Sequence, residues 1–322
     1  MSSLSSNLVF LCGFPSSGTD LLKNIVNAHS DIAISGEFPL LPSLAGRYGP
    51  LVEAEEVSEV VTALNRCDVY RNFAHDDFVP SGAAQSYTVA EIYRAMLGDD
   101  AVAWGGNKTP QNTEHIEELN ALFPHAKFIV IVRDIRDVAL SWHQKWGKDK
   151  ILCAAKWQSR MQSGYRAAAE LGSDRVLFLR YEDLLVGLEL IARRICAFLG
   201  LDFERCLLDF HTQMTHRMAG KRNYGKALLS HNTAKWRQGL TAREIRRIEE
   251  IAYDGLAGFE YPITLATGPR RLTPIEQYRG LARDVIALIV VGNRELENQI
   301  GRYKVKTACF ELRKLWLRRY AA

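Results

Sequence analysis

Short apolar runs recur along the chain, and most are followed by a stretch whose apolar positions repeat at helical spacing. The runs at 8–12, 32–34, 102–104, 128–132 and 176–179 are rich in branched and aromatic residues, which predicts strands. Helical patterns are predicted over 18–28, 54–66, 89–97, 113–122, 136–147, 151–171, 183–199 and 241–256. Strands alternating with helices predict an α/β fold, a parallel β-sheet flanked by helices on both faces. In such sheets ligands sit beyond the C-terminal ends of the strands, so the residues just after each strand matter most. A shift in composition at "TLATGPRRLTP" (264–274) predicts a linker. It divides an α/β domain over 1–265 from a helical C-terminal extension over 266–322.

Composition narrows this only modestly. With 47% hydrophobic and 24% charged residues the chain reads as globular, and a net charge of +4 suits an anionic ligand without demanding nucleic acid. The start, "MSSLSSN", has neither a basic segment nor an apolar core, so no leader peptide is expected. The longest apolar run, 285–291, is far short of a membrane span. Six scattered cysteines with no C-x-x-C pair suit a reducing cytoplasm, and the eight histidines form no metal-binding motif. No metal is expected. From Arg302 onward, seven basic residues face Glu311 alone. This is a solvated face of a helix packed on the core or on a second subunit, giving a homodimer, or a membrane-surface contact.

Two strand-to-helix junctions carry the candidate chemistry. The first, "GFPSSGTD" (13–20), has the layout of a P-loop, but Thr19 stands at the lysine position and Asp20 at the magnesium-binding hydroxyl. Backbone N–H groups at a helix start still cradle an anion, and Ser16, Ser17 and Thr19 add hydroxyl donors. The loop therefore suits a phosphate that needs no metal, which argues against a magnesium-dependent small-molecule kinase. The second, "KFIVIVRDIRDVALSWHQK" (127–145), places Arg133 at a strand end, with Ser141 and Lys145 one turn apart on the next helix. A guanidinium fork, a hydroxyl and an ammonium suit a second phosphate. Read alone, Arg133-Asp134 and Arg136-Asp137 are equally well local salt bridges. Two phosphate sites on one sheet suit a nucleotide phosphorylated on both its 5′ and 3′ sides.

In order, "FPSSGTDLL", "NAHSDIAISGE", "GGNKTP", "LFPHAKFIVIVRDIRDVALSWH", "RYEDLL", "ICAFLGL" and "KWRQGLTAREIRRIEEIA" resemble the landmarks of the sulfotransferases that use 3′-phosphoadenosine 5′-phosphosulfate (PAPS). The resemblance spans residues 7 to 262 and is nearest the bacterial and tyrosylprotein-type branch. It implies PAPS as donor, 3′,5′-phosphoadenosine (PAP) as product, and no metal. It further implies that Phe14, Pro15, Ser16, Ser17, Gly18, Thr19 and Asp20 form the 5′ loop. Arg133, Ser141 and Lys145 would hold the 3′-phosphate, Tyr181 would lie near the adenine, and Lys235-Trp236 would return toward the nucleotide. Glu37 falls at the position of a general base, and Lys108 at that of a lysine close to the transferring group.

The chain departs from the family's loop at two places. Ser16 stands where a Lys or Arg is usual, and Asp20 where Thr or Ser is. Lys108 and Lys235 are expected to supply the missing charge, and Asp20 is expected to turn away or pair with a cation such as Lys23. The expected activity is sulfuryl transfer to a hydroxyl of a carbohydrate or small metabolite. The alternative is a nucleotide-binding or scaffold protein of the same fold that does not turn over. Residues 38–100 and 211–232, with aromatic and basic side chains, are the expected acceptor-binding segments. No nucleic-acid partner is expected, because the basic residues are not interleaved with aromatics outside the final helix.

Overall fold

The computed structural model describes residues 7–37, 52–53, 55–60, 86–88, 91–93, 102–212 and 232–292, the last stretch with side chains through 287. Seven strands are described: β1 (Asn7–Gly13), β2 (Ile32–Ser35), β3 (Val52–Glu53), β4 (Ser86–Tyr87), β5 (Trp104–Lys108), β6 (Lys127–Val132) and β7 (Val176–Arg180). Five of them form one sheet in the order β2-β5-β1-β6-β7, every neighbouring pair parallel. β3 and β4 form a separate antiparallel pair that the apolar pattern does not announce. The helices are α1 (Thr19–Val26), α2 (Ile116–Leu122), α3 (Ile135–Trp146), α4 (Lys150–Leu171), α5 (Tyr181–Val186), α6 (Leu188–Leu199), α7 (Trp236–Gly239), α8 (Ala242–Ile251), α9 (Tyr253–Gly258) and α10 (Pro274–Gly292).

Burial explains why the central strands read as unbroken apolar runs. On β1, Leu8 through Cys12 are all buried, as expected where helices cover both faces of a parallel sheet. Val9 and Leu11 join Ile129, Ile131, Leu177 and Leu179 on one face, beneath Leu22 and Ile25 of α1, Leu184 of α5 and Ile195 of α6. Phe10, one residue out of phase, turns to the other face. There its ring lies 5.6 Å from Phe128 and 5.5 Å from Phe123, at the end of α2.

The described residues fall into two compact units, one drawn from 1–132 and 163–231, the other from 133–162 and 232–322. The sheet lies wholly in the first, and α4 is divided between them. In the second unit, Asp149 accepts from the N–H groups of Ile151 and Leu152 at the start of α4. Asp149 also donates its own N–H to Asp284 of α10 at 2.8 Å and pairs with Arg283 at 3.0 Å. Residues of the expected linker are bound to α8: the N–H groups of Thr264, Leu265 and Ala266 all donate to Glu249. The basic stretch from Arg302 onward lies outside the described residues, as do most of 38–100 and 213–231.

Four expectations change. The strand predicted at 102–104 runs instead from Trp104 to Lys108, through the sequence "WGGNK", which carries no apolar signal. Its glycines answer a steric demand of the neighbouring strand: a Cβ on Gly106 would stand 1.8 Å from the carbonyl oxygen of Val9 on β1. The helix predicted over 183–199 is two helices broken at Gly187, and that over 241–256 breaks at Ala252. The helix predicted from 113 starts as a 3-10 turn over Pro110–Glu114. Of the helices predicted at 54–66 and 89–97, only 57–60 and 91–93 lie within described helical residues.

Gly106→Ala is expected to force β5 away from β1 and cost about 3 kcal/mol or more, the upper range of core overpacking. Urea unfolding measures this, and a loss below about 1 kcal/mol would contradict the close approach.

Candidate active site

Strand order sets up the first cluster. β5 lies between β2 and β1, and Lys108 is its last residue. Glu37 follows the end of β2, while Asp20 stands in the first turn of α1, which follows β1. Both carboxylates therefore reach Lys108 from the neighbouring chain segments. The Lys108 ammonium lies 2.7 Å from Asp20 Oδ1 and 2.5 Å from Glu37 Oε1. Lys108 is 1% exposed. Burial alone would push its pKa down, yet the two carboxylates outweigh that and hold it above the ordinary lysine value.

Beside Lys108 on β5, Asn107 is fully buried and tied on three sides. Its Nδ2 donates to the Tyr93 hydroxyl at 2.7 Å, and its Oδ1 accepts from Thr109 Oγ1 at 2.9 Å and Asn112 Nδ2 at 3.2 Å. Thr113 Oγ1 donates to the carbonyl of Gly13 at 3.0 Å. These bonds fix the turn out of β5 against the loop after β1. Sequence reasoning took only Lys108 from "GGNKTP" and missed Asn107, Thr109, Asn112 and Thr113. Their signal was present, in a run of small polar residues directly after a buried strand.

The loop from Gly13 to Thr19 folds back through a bond from the Ser17 N–H to the Phe14 carbonyl at 3.0 Å. Ser16 takes a left-handed conformation (φ 71°), and so does Gly18 (φ 97°) at the N-cap of α1. Gly18 is doubly constrained, since a Cβ there would stand 2.5 Å from the Tyr181 ring. Tyr181 is buried, with its ring against this loop. No side chain caps α1, and the first N–H groups of a helix have no intrahelical acceptor. Ser17 is fully buried, and its Oγ has no hydrogen-bond partner among the described residues. An oriented cradle with an unsatisfied buried hydroxyl fits an anionic group.

The second cluster belongs to the other unit. Arg133, buried, donates from Nη2 to the Asn232 carbonyl at 2.7 Å and lies 3.9 Å from Asp137 Oδ2. Asp134 caps α3 by accepting the Arg136 N–H. The Arg136 guanidinium is fully buried, 2.8 Å from Asp134, 2.6 Å from Glu249 and 3.9 Å above the Trp236 ring. The Trp236 N–H donates to Asp137 at 2.9 Å. Trp236 is thus held within a structural cluster whose centre, Arg136, sequence reasoning read only as a local pair. Lys235 is exposed and donates to Asn232 Oδ1 at 2.6 Å. On α3, Ser141 is half-buried and Lys145 exposed. Among the described residues no group of three or more His, Cys, Asp or Glu could hold a metal ion. No helix there is long and apolar enough to cross a membrane.

Known proteins resemble the chain in sequence and in fold. Protein-tyrosine sulfotransferase 2 of Gallus gallus is 26% identical over 224 residues, covering 66% of this chain and 56% of that protein. An uncharacterized protein of Aquifex aeolicus is 25% identical over 266 residues, covering 79% of this chain and 33% of its own length. The chain thus spans between a third and just over half of these curated relatives. Among solved structures, the sulfotransferase domain from the curacin biosynthetic pathway superposes with a TM-score of 0.56 at 20% identity, covering 80% of this chain and 99% of that one. This last likeness shows the fold. The model of the sulfotransferase family matches residues 9–205, from β1 through both junctions and Lys108 to just beyond α6, and the chain belongs to that family.

Proposed function

We propose that the protein is a cytoplasmic sulfotransferase that moves a sulfuryl group from PAPS to a hydroxyl of a carbohydrate or small metabolite. The observation that supports this most directly is the contact between Glu37 and Lys108. Two residues chosen from separate motifs, a base and a cation, meet beside an anion-binding loop. The residues from Phe14 to Asp20 would hold the 5′ side of the donor, with Ser17 Oγ and the open helix start as donors. Tyr181 would stand near the adenine. Arg133, Ser141 and Lys145 would take the 3′-phosphate, with Lys235 and Trp236 adjoining.

PAPS, when bound, supplies the activated sulfuryl group. The chain's residues bind, orient and move the proton. Glu37 accepts the proton of an acceptor hydroxyl brought within hydrogen-bond reach. Lys108 offsets the negative charge that grows on the leaving side, where a preset donor acts most strongly because water is excluded.

One observation favours a second reading, a nucleotide-binding protein without turnover. The loop carries Ser16 in place of a cation, and Lys108, the ammonium at the centre, is shared by Asp20 and Glu37. Calorimetry with PAP, together with mass-detected transfer over a panel of acceptors, separates the two. Tight binding with no product supports the second reading, and no binding at all removes both.

For the active enzyme, Glu37→Ala and Lys108→Ala are each expected to lower kcat by roughly 100-fold or more. Undiminished transfer in both variants would overturn these roles. The pH dependence follows from the raised pKa of Lys108. A lysine whose folded pKa is raised contributes stability that is complete below its unfolded pKa and is lost as pH rises through the folded one. Lys108 therefore stays charged, and its contribution to kcat is expected to be flat between about pH 8 and about pH 10. A fall in that interval that disappears in Lys108→Arg would contradict it.

A further inference from the structure

We propose that Asp20 is a positioning residue: together with Glu37 it fixes the Lys108 ammonium so that its third N–H is a preset donor toward the group being transferred. This rests on the sulfotransferase reading above. An ammonium has three N–H donors and no acceptor capacity. At Lys108, Asp20 Oδ1 at 2.7 Å and Glu37 Oε1 at 2.5 Å take two of them. Two anchors on a tetrahedral nitrogen determine the direction of the third bond. One anchor would leave the group free to rotate and would pair it with Glu37 alone.

The asymmetry of the clamp supports the assignment. The side chain of Lys108 is 2% exposed, that of Glu37 24% and that of Asp20 46%. The ammonium is therefore the buried partner, and the carboxylates come to it. Asp20 stands in the first turn of α1, where the helix dipole favours a carboxylate. With Ser16 the loop over 13–20 lacks a cation of its own, and a directed Lys108 makes up part of that loss.

Three measurements on the full chain test this: steady-state kinetics, PAP calorimetry, and an NMR titration of the Lys108 side chain without any nucleotide. Asp20→Ala is expected to lower kcat at saturating PAPS by about 10- to 100-fold, the pattern of a lost orienting contact. Asp20→Asn, which keeps the shape and one acceptor oxygen, is expected to recover part of that loss. Lys108 is expected to titrate at lower pH in Asp20→Ala than in the parent. An unchanged or raised kcat in Asp20→Ala, with tighter PAP binding, would overturn the proposal and make Asp20 a repulsive carboxylate only. An unmoved Lys108 titration would overturn it as well, and does so whether or not the protein binds PAP. Failure of the parent to bind PAP or transfer sulfate sinks the sulfotransferase reading separately. Circular dichroism of both variants reports any loss of fold.

Discussion

A lysine ammonium cannot remain in a protein interior without countercharge, because its desolvation must be offset by close partners. Lys108 meets that constraint through strand order. As the last residue of β5 it lies between segments leaving β2 and β1, and each delivers one carboxylate. The order in turn depends on backbone contact so close that β5 carries glycine where it faces Val9. Packing, sheet topology and the charge of the site are therefore one problem. Moving β5 outward would separate Glu37, Lys108 and the loop after β1 together.

The second unit solves the same problem with arginine. Arg136 is fully buried, and its planar fork is divided between Asp134 and Glu249 while its face stacks on Trp236. Glu249 is itself satisfied by the N–H groups of residues 264 to 266. This network anchors the start of α3, immediately after Arg133. The residue proposed for phosphate binding thus lies directly between the end of β6 and the N-cap of α3.

Much of the sheet could be read from the chain because parallel strands buried on both faces are continuous apolar runs. β1, β6 and β7 were legible for that reason, and β2 nearly as well. β5 was not, since its demand is for small residues rather than apolar ones. Neither the strand order nor the β3-β4 pair has a signature in periodicity. At the site, the motifs indicated Glu37 and Lys108 separately. Their contact and the third partner, Asp20, came only with the fold. Asp20 looked like a liability beside a phosphate, expected to turn away or to pair with a cation such as Lys23. Lys108 lies 2.7 Å from Asp20, because α1 begins next to the end of β5. Arg136 was missed as a hub since Glu249 lies far away in sequence.

We propose that the loop after β1 and the clamped Lys108 form the 5′ side of a donor site. A crystal structure of the chain with PAP bound tests it most directly. The 5′-phosphate is expected against the loop N–H groups and Ser17 Oγ, next to a Lys108 ammonium still held by Asp20 and Glu37. A 5′-phosphate bound away from that loop, or a Lys108 that has left both carboxylates, would contradict it.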